Sequence, residues 1–209
     1  MIDLILTLVP MSVLLSFLLA GVVLNLTPGS DVMFTIASGI KGGIPAGVAA
    51  ATGVALGSFV HVTLTTFGLA ALLATLPWVF QAIKWGGVLY LLLLAYQAWT
   101  ATAITDTANT GRASYSRALK QGCITNVTNP KVALFILAFL PQFADETRGP
   151  IWVQMLILGV IFTLSGWVIT SLYGIFAGYL GYKLRQYFTI LNKLSAIILG
   201  GLALRLAAT

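Results

Sequence analysis

Residues 21–34 read GVVLNLTPGSDVMF, and residues 122–135 read GCITNVTNPKVALF. At an offset of 101 positions the two stretches share Gly21/Gly122, Asn25/Asn126, Thr27/Thr128 and Phe34/Phe135. The match extends to Leu18/Leu119 and Ala37/Ala138. Coincidences of leucine or alanine are cheap in apolar sequence, whereas those of glycine, asparagine and threonine are not. Each copy places a proline inside an apolar run, Pro28 followed by Gly29 and Pro130 preceded by Asn129. Proline removes a backbone donor and clashes with the preceding turn, and Asn-Pro favours a turn. Both copies therefore predict an interrupted helix.

The surroundings of the two copies are those of a membrane. Of 209 residues, 59% are hydrophobic and 8% charged, against roughly 45–50% and about 25% in soluble domains. The mean hydropathy is +0.99. Eleven basic and five acidic side chains cannot clothe a soluble surface of this size, so a soluble enzyme, a disordered chain and a disulfide scaffold are excluded. Residues 4–30, 42–83, 85–105, 132–144, 149–182 and 194–204 carry no charge, and a spanning helix needs about 20 mostly apolar residues. The N-terminus lacks a basic segment before its apolar run, with Asp3 its only charge, and reads as an uncleaved first span rather than a secretory signal. The single Cys123 excludes an internal disulfide and a cysteine-rich metal site. The net charge of +6 does not point to nucleic acid, because the basic residues sit at the ends of apolar runs. No resident metal or cofactor is expected.

The expected fold is an all-α integral membrane protein of about six transmembrane helices, over residues 4–28, 43–75, 78–99, 119–139, 151–173 and 188–206. The first span continues toward Ile40 after its break, and Pro77 stops the second. The second is longer than a bilayer is thick and must tilt, bend or protrude. Residues 1–104 form one three-helix unit, 105–118 a polar cytoplasmic linker rich in Thr, Ala and Ser, and 119–209 the second unit. Lys41, Arg112, Arg117, Lys120, Lys183 and Arg185 fall in alternate loops, and the positive-inside rule makes those loops cytoplasmic and both termini external. The opposite face carries Arg148, offset by Asp145 and Glu146.

Three spans separate the two motif copies, and an odd number of crossings inverts the second half relative to the first. Inverted repeats with broken helices and a binding site near the membrane midplane are a common build of secondary transporters. Backbone groups freed at a break are costly in lipid unless they line a cavity or meet polar side chains. Asn25, Thr27, Asn126, Thr128 and Asn129 are the candidate partners, and offer the same donors and acceptors to a zwitterion. The half-helix beginning after Pro28 and Gly29 directs partial positive charge at a carboxylate. Each motif also carries a charge, Asp31 in the first and Lys131 in the second. Ionisable groups at membrane depth are expensive and usually paired or functional. Asp31 is a candidate acceptor for a substrate ammonium or a coupling proton, and Lys131 for a carboxylate. The competing reading is that the two pair with each other or mark span ends.

With these motifs in place, the sequence resembles the LysE/RhtB family of amino-acid exporters (lysine-exporter and homoserine/threonine-resistance type). N-L-T-P-G-S-D at 25–31 resembles the family's first signature, and N-V-T-N-P-K at 126–131, followed by Pro141-Gln142-Phe143, its second. The stretches G-G-I-P-A-G at 42–47 and K-W-G-G-V-L-Y-L at 84–91 also fit. The resemblance covers essentially the whole chain. Ser30 departs from the usual proline of T-P-G-P-D, which relaxes the backbone after Gly29 and adds a hydroxyl. The resemblance implies a bacterial inner-membrane exporter of small amino acids or derivatives of homoserine or threonine type, driven by protons. It assigns substrate binding to Asn25, Thr27, Pro28, Gly29, Asp31, Asn126, Thr128, Asn129, Pro130 and Lys131, with Gln142 bordering the cavity.

His61, in the middle of the second span, is a proton-relay candidate beside Asp31. The plainer reading favours a His hydrogen-bonded across helices to Ser or Thr, because no carboxylate lies one turn away. Gly43/Gly47, Gly53/Gly57 and Gly174/Gly178 are spaced for close helix approach, chiefly for packing within the chain, with a homodimer or sliding during transport the other uses. Trp78, Trp85, Trp99 and Trp152 read as interface anchors. Two other functions compete with amino-acid export. A metal-ion exporter would need more ligands than five acids, one His and one Cys readily supply. A membrane-embedded enzyme would need a nucleophile–base pair or a ligand cluster, and the spans contain neither pattern.

Overall fold

The computed structural model describes residues 2–75, 78–100, 114–180 and 188–208. Pro77, Arg112, Lys183, Arg185 and residues 105–113 of the expected linker lie outside the described residues. Every regular element among those described is helical: α1 (Ile2–Leu8), α2 (Met11–Leu26), α3 (Ser30–Thr75), α4 (Trp78–Thr100), α5 (Tyr115–Val127), α6 (Pro130–Phe139), α7 (Ile151–Leu180) and α8 (Phe188–Ala208). Two 3-10 turns, Leu140–Phe143 and Glu146–Arg148, join α6 to α7.

Both expected breaks are present, over residues 27–29 and 128–129. A residue before proline is pushed out of the helical region toward extended backbone. Thr27 (φ −66°, ψ 117°) precedes Pro28, and Asn129 (φ −83°, ψ 108°) precedes Pro130. Pro130 then opens α6 at a position where its missing donor costs nothing. The two halves of the second break, residues 115–127 and 130–143, meet at a bend of 53°.

Two boundaries differ from the sequence expectation. The first span is divided at Pro10, which separates the seven-residue α1 from α2. With sixteen residues, α2 reaches only about 24 Å. The remainder of that span belongs to α3, which runs from the first break through a sharp kink at Gly43, where φ is 73° and ψ −174°. A side chain there would be strained, so Gly43 turns the chain, whereas the sequence had grouped it with the packing glycines. The kink straddles α7: Cβ atoms added at Gly39 and Gly47 would both run into the backbone of Gly174, and one at Gly178 into Gly43 and Ile44.

Three helical stretches among the described residues are long and apolar enough to cross a membrane: Ser30–Gly68, Ile151–Leu180 and Ile190–Ala208. The bent pair through α5 and α6 makes a fourth if counted as one span. Leu15, Leu19, Leu64, Leu89, Leu164, Ile197 and Leu204 are exposed, an apolar jacket that a soluble protein would not present. Trp78 and Trp99 sit exposed at the two ends of α4, and Trp152 opens α7, stacked on Phe67. Trp85 instead lies within α4, with the Lys84 ammonium 5.7 Å from its ring.

The interior has two parts. A column of rings ties α2, α6 and α7 together: Phe17 meets Phe143 at 5.3 Å, Phe143 meets Phe139 at 5.3 Å, Phe139 meets Phe135 at 4.8 Å, and Phe135 meets Phe162 at 5.4 Å. On the other side α3 lies between α5 and α7 at backbone contact. A Cβ at Gly53 would collide with the Leu119 carbonyl, one at Gly57 would lie 2.7 Å from the Cys123 oxygen, and one at Gly122 would collide with the Ala50 carbonyl. Beyond α6, buried Gln154 holds the connecting loop, donating to the Asp145 and Gly149 carbonyls at 2.8 and 3.0 Å and accepting from the Asp145 amide at 3.0 Å. Arg148 and Asp145 pair at 3.3 Å.

Gly53→Ala is expected to lower the melting temperature of the detergent-purified protein by several degrees, since overpacking costs about 1–3 kcal/mol. Gly68→Ala and Gly200→Ala, where nothing lies within 4 Å of an added Cβ, should leave it unchanged or raised.

Candidate functional site

Pro28 and the extended Thr27 end α2, so its last carbonyls lose the regular helical pattern of amide partners; the Thr27 amide is shared between Val23 O at 3.0 Å and Leu24 O at 3.1 Å. Side chains reach the same carbonyls and the ones beyond them. Val23 O accepts from the Thr27 hydroxyl at 2.7 Å. Leu24 O and Thr27 O accept from the Lys131 ammonium at 2.8 and 2.6 Å. Leu26 O accepts from the Tyr173 hydroxyl at 3.0 Å. The ammonium therefore sits at the negative end of a half-helix, and it arrives from the other motif copy. Gly29 makes room for it, since a Cβ there would stand 3.3 Å from Lys131 Cδ.

The second break repeats this logic with other side chains. The Thr128 hydroxyl donates to Ile124 O at 2.9 Å, as Thr27 does to Val23. His61 Nε2 lies 3.0 Å from Asn126 O. The histidine's partner is thus a backbone carbonyl at the break and not the Ser or Thr hydroxyl expected. Asn129 accepts the Lys131 amide at 2.9 Å through Oδ1, which caps α6.

Asp31, in the first turn of α3, is 7% exposed. Its Oδ2 accepts from Asn126 Nδ2 at 2.8 Å and from Asn129 Nδ2 at 2.9 Å. Its Oδ1 is buried without a partner, as is Asn126 Oδ1. Among the described residues no salt bridge joins Asp31 to Lys131. Each charge is held instead by neutral groups of the opposite motif copy, the carboxylate by amides and the ammonium by carbonyls.

Asn25 and Asn126, equivalent positions of the two copies, line one small cavity with Ser58, Thr163, Trp167 and Thr170. Its volume is about 20 Å³, room for roughly one water molecule. Asn25 packs over Gly166, where a Cβ would lie 3.1 Å from its Oδ1, and its Nδ2 is buried without a partner. Ser58 and Thr163 face each other at 3.4 Å across α3 and α7.

The structure thus brings together Asn25, Thr27, Gly29, Asp31, Asn126, Asn129, Lys131 and His61. It turns others away. The two threonine hydroxyls are spent on their own helices, and Thr128 and Pro130 are exposed. Pro28 is half-buried in the break itself. Gln142 lines a separate cavity of about 370 Å³ beyond α6, with Ser12, Ser16, Asp145 and Arg205. Tyr173, Ser58, Thr163 and Thr170 were not anticipated as neighbours of the breaks. Only the rarity of a buried tyrosine in an apolar run would have singled out Tyr173. No group of three or more His, Cys, Asp and Glu side chains clusters among the described residues as a metal would require.

Residues 22–209 match the family model described as LysE type translocator. The chain is 34% identical over 196 residues to an uncharacterized membrane protein of Vibrio cholerae, covering 92% of this chain and 95% of that one. It is 34% identical over 190 residues to a leucine efflux protein of Enterobacter sp., covering 88% and 89%. It is 32% identical over 163 residues to a homoserine/homoserine lactone efflux protein of Salmonella typhimurium, covering 78% and 79%. No solved structure matches the chain.

Replacing Asn126 by leucine removes a donor from the Asp31 carboxylate, and a hydrogen bond to a charged group contributes about 1.5–3 kcal/mol. The variant should melt well below wild type in detergent. Thr128→Ala, at an exposed hydroxyl, should shift stability by less than about 0.5 kcal/mol.

Proposed function

The chain belongs to the LysE type translocator family, and on that footing we propose that it exports small neutral amino acids or their derivatives across the bacterial inner membrane, coupled to proton entry. Membership makes it a multi-pass bacterial membrane transporter rather than an enzyme. The substrate class comes from the relatives, whose names are leucine efflux and homoserine/homoserine lactone efflux proteins.

One observation carries the mechanism: two helix breaks from distant parts of the sequence exchange their charged side chains, beside a small cavity that Asn25 and Asn126 both line. Substrate binds between the breaks, against Asn25, Asn126, Asn129 and the half-helix ends. A cavity of about 20 Å³ is far below the roughly 300 Å³ at which small-molecule sites begin, so this is a closed conformation that must open to one side at a time. The opening follows from two inverted three-helix halves, six crossings in all, rocking against each other. Several contacts support that arrangement. Gly53, Gly57 and His61 meet successive positions of α5, and Gly21, Asn25 and Leu26 meet successive positions of α7. The facing pair Ser58 and Thr163 marks where an axis in the membrane plane would pass.

Asp31 is the proton acceptor. Its two amide donors hold a carboxylate, while the bare Oδ1 is the atom a proton would occupy. His61 acts on Asp31 through Asn126, whose carbonyl it bonds and whose amide bonds the carboxylate.

In proteoliposomes loaded with leucine, homoserine or threonine, an acid exterior should accelerate efflux of at least one of them. Asp31→Asn should reduce that acceleration by at least tenfold while leaving the protein folded. Undiminished pH-driven efflux from Asp31→Asn would remove it as the coupling site.

A further inference from the structure

The Lys131 ammonium is bound as a ligand would be. It has three donors, and two go to the carbonyls of Leu24 and Thr27 at 2.8 and 2.6 Å, short charge-assisted bonds. Those carbonyls belong to the broken end of α2, where the helix dipole adds negative potential. The lysine stem lies against Gly29, which has no side chain to exclude it. No salt bridge ties the ammonium to Asp31. A primary α-ammonium carries the same charge and the same three donors. Meanwhile Asp31, the nearby carboxylate, keeps Oδ1 buried and unpartnered.

We propose that the Leu24 and Thr27 carbonyls form an ammonium subsite, which Lys131 fills as a tethered stand-in until the α-ammonium of an incoming amino acid displaces it onto Asp31. The exchange keeps the Leu24 and Thr27 carbonyls occupied and brings Lys131 to Asp31, which matters at membrane depth, where a bare carbonyl or an isolated ammonium would be costly. It also sets the ligand chemistry. Displacing the tethered Lys131 requires a free primary ammonium, held in place by the other contacts of an amino acid, so an N-acylated amino acid cannot do it. Because Lys131 moves toward Asp31, arrival of substrate disfavours a proton on that carboxylate, so substrate and proton exclude one another. This inference rests on the transport reading for the identity of its natural ligand, but the subsite itself does not.

The test is chemical rescue. Lys131→Ala deletes the fragment equivalent to n-propylammonium. Added n-propylammonium should raise the melting temperature of purified Lys131→Ala saturably, by several degrees. It should do nothing comparable to wild type, and n-propanol should fail with both. An effect shared equally by wild type, or by n-propanol, overturns the subsite, as does no effect at all on folded Lys131→Ala. Should that variant not fold, wild type carries the test through reductive methylation of Lys131. Labelling should rise at least twofold with a transported amino acid and stay flat with its N-acetyl derivative. Equal labelling in all conditions overturns the displacement. Normal amino-acid efflux with no rescue would refute the subsite alone. Rescue without efflux of any amino acid would refute the transport reading alone.

Discussion

The centre of this molecule is organised by carbonyl oxygens at two interrupted helix ends, which side chains from distant parts of the sequence reach. In water such groups would simply be hydrated. Within an apolar jacket each unsatisfied one costs on the order of 1–3 kcal/mol; amides of the breaks themselves meet the Leu24 and Asn126 carbonyls, and side chains from elsewhere complete the set. Lys131 meets two carbonyls of the first break, Tyr173 a third, and His61 one of the second. The same contacts fasten distant parts of the chain to one another, so repairing the backbone and assembling the site are one event.

The rest of the fold keeps those reaches short. Gly53, Gly57 and Gly122 bring α3 and α5 to backbone contact, and His61 lies one turn beyond Gly57. Gly47 and Gly174 do the same for α3 and α7, on which Tyr173 is the adjacent residue. The phenylalanine column from Phe17 to Phe162 fixes α6 against α2 and α7, which sets where the Lys131 stem begins. Small residues bring the backbones together on one side and large rings hold position on the other.

How much of this was legible depended on whether the cause was local. Pro28-Gly29 and Asn129-Pro130 interrupt a helix whatever surrounds them, so both breaks could be read from the chain. Pro10 obeys the same rule, yet an apolar stretch unbroken by charge hid it. Gly43 has the spacing of a packing glycine, and nothing in the sequence distinguishes that role from a positive φ. Partnerships were harder. The threonines of both motifs bond their own helices, a local habit of that residue, which withdrew two hydroxyls expected to face substrate. His61 found a carbonyl, an acceptor present at every residue and therefore invisible to pattern. Gln142 follows the second motif closely in sequence, but the turn beyond α6 carries it to another cavity. The link between Asp31 and the two asparagines spans nearly a hundred residues, and only the repeat hinted that the copies would meet.

The cavity between Asn25 and Asn126 has room for about one water. Protons cross membranes along files of hydrogen-bonded waters, and space for a single water is not a file. The asparagines, threonines and serine around it can orient a water but cannot themselves carry a charge away at ordinary pH. In this conformation the space between the two breaks is too small to hold such a file.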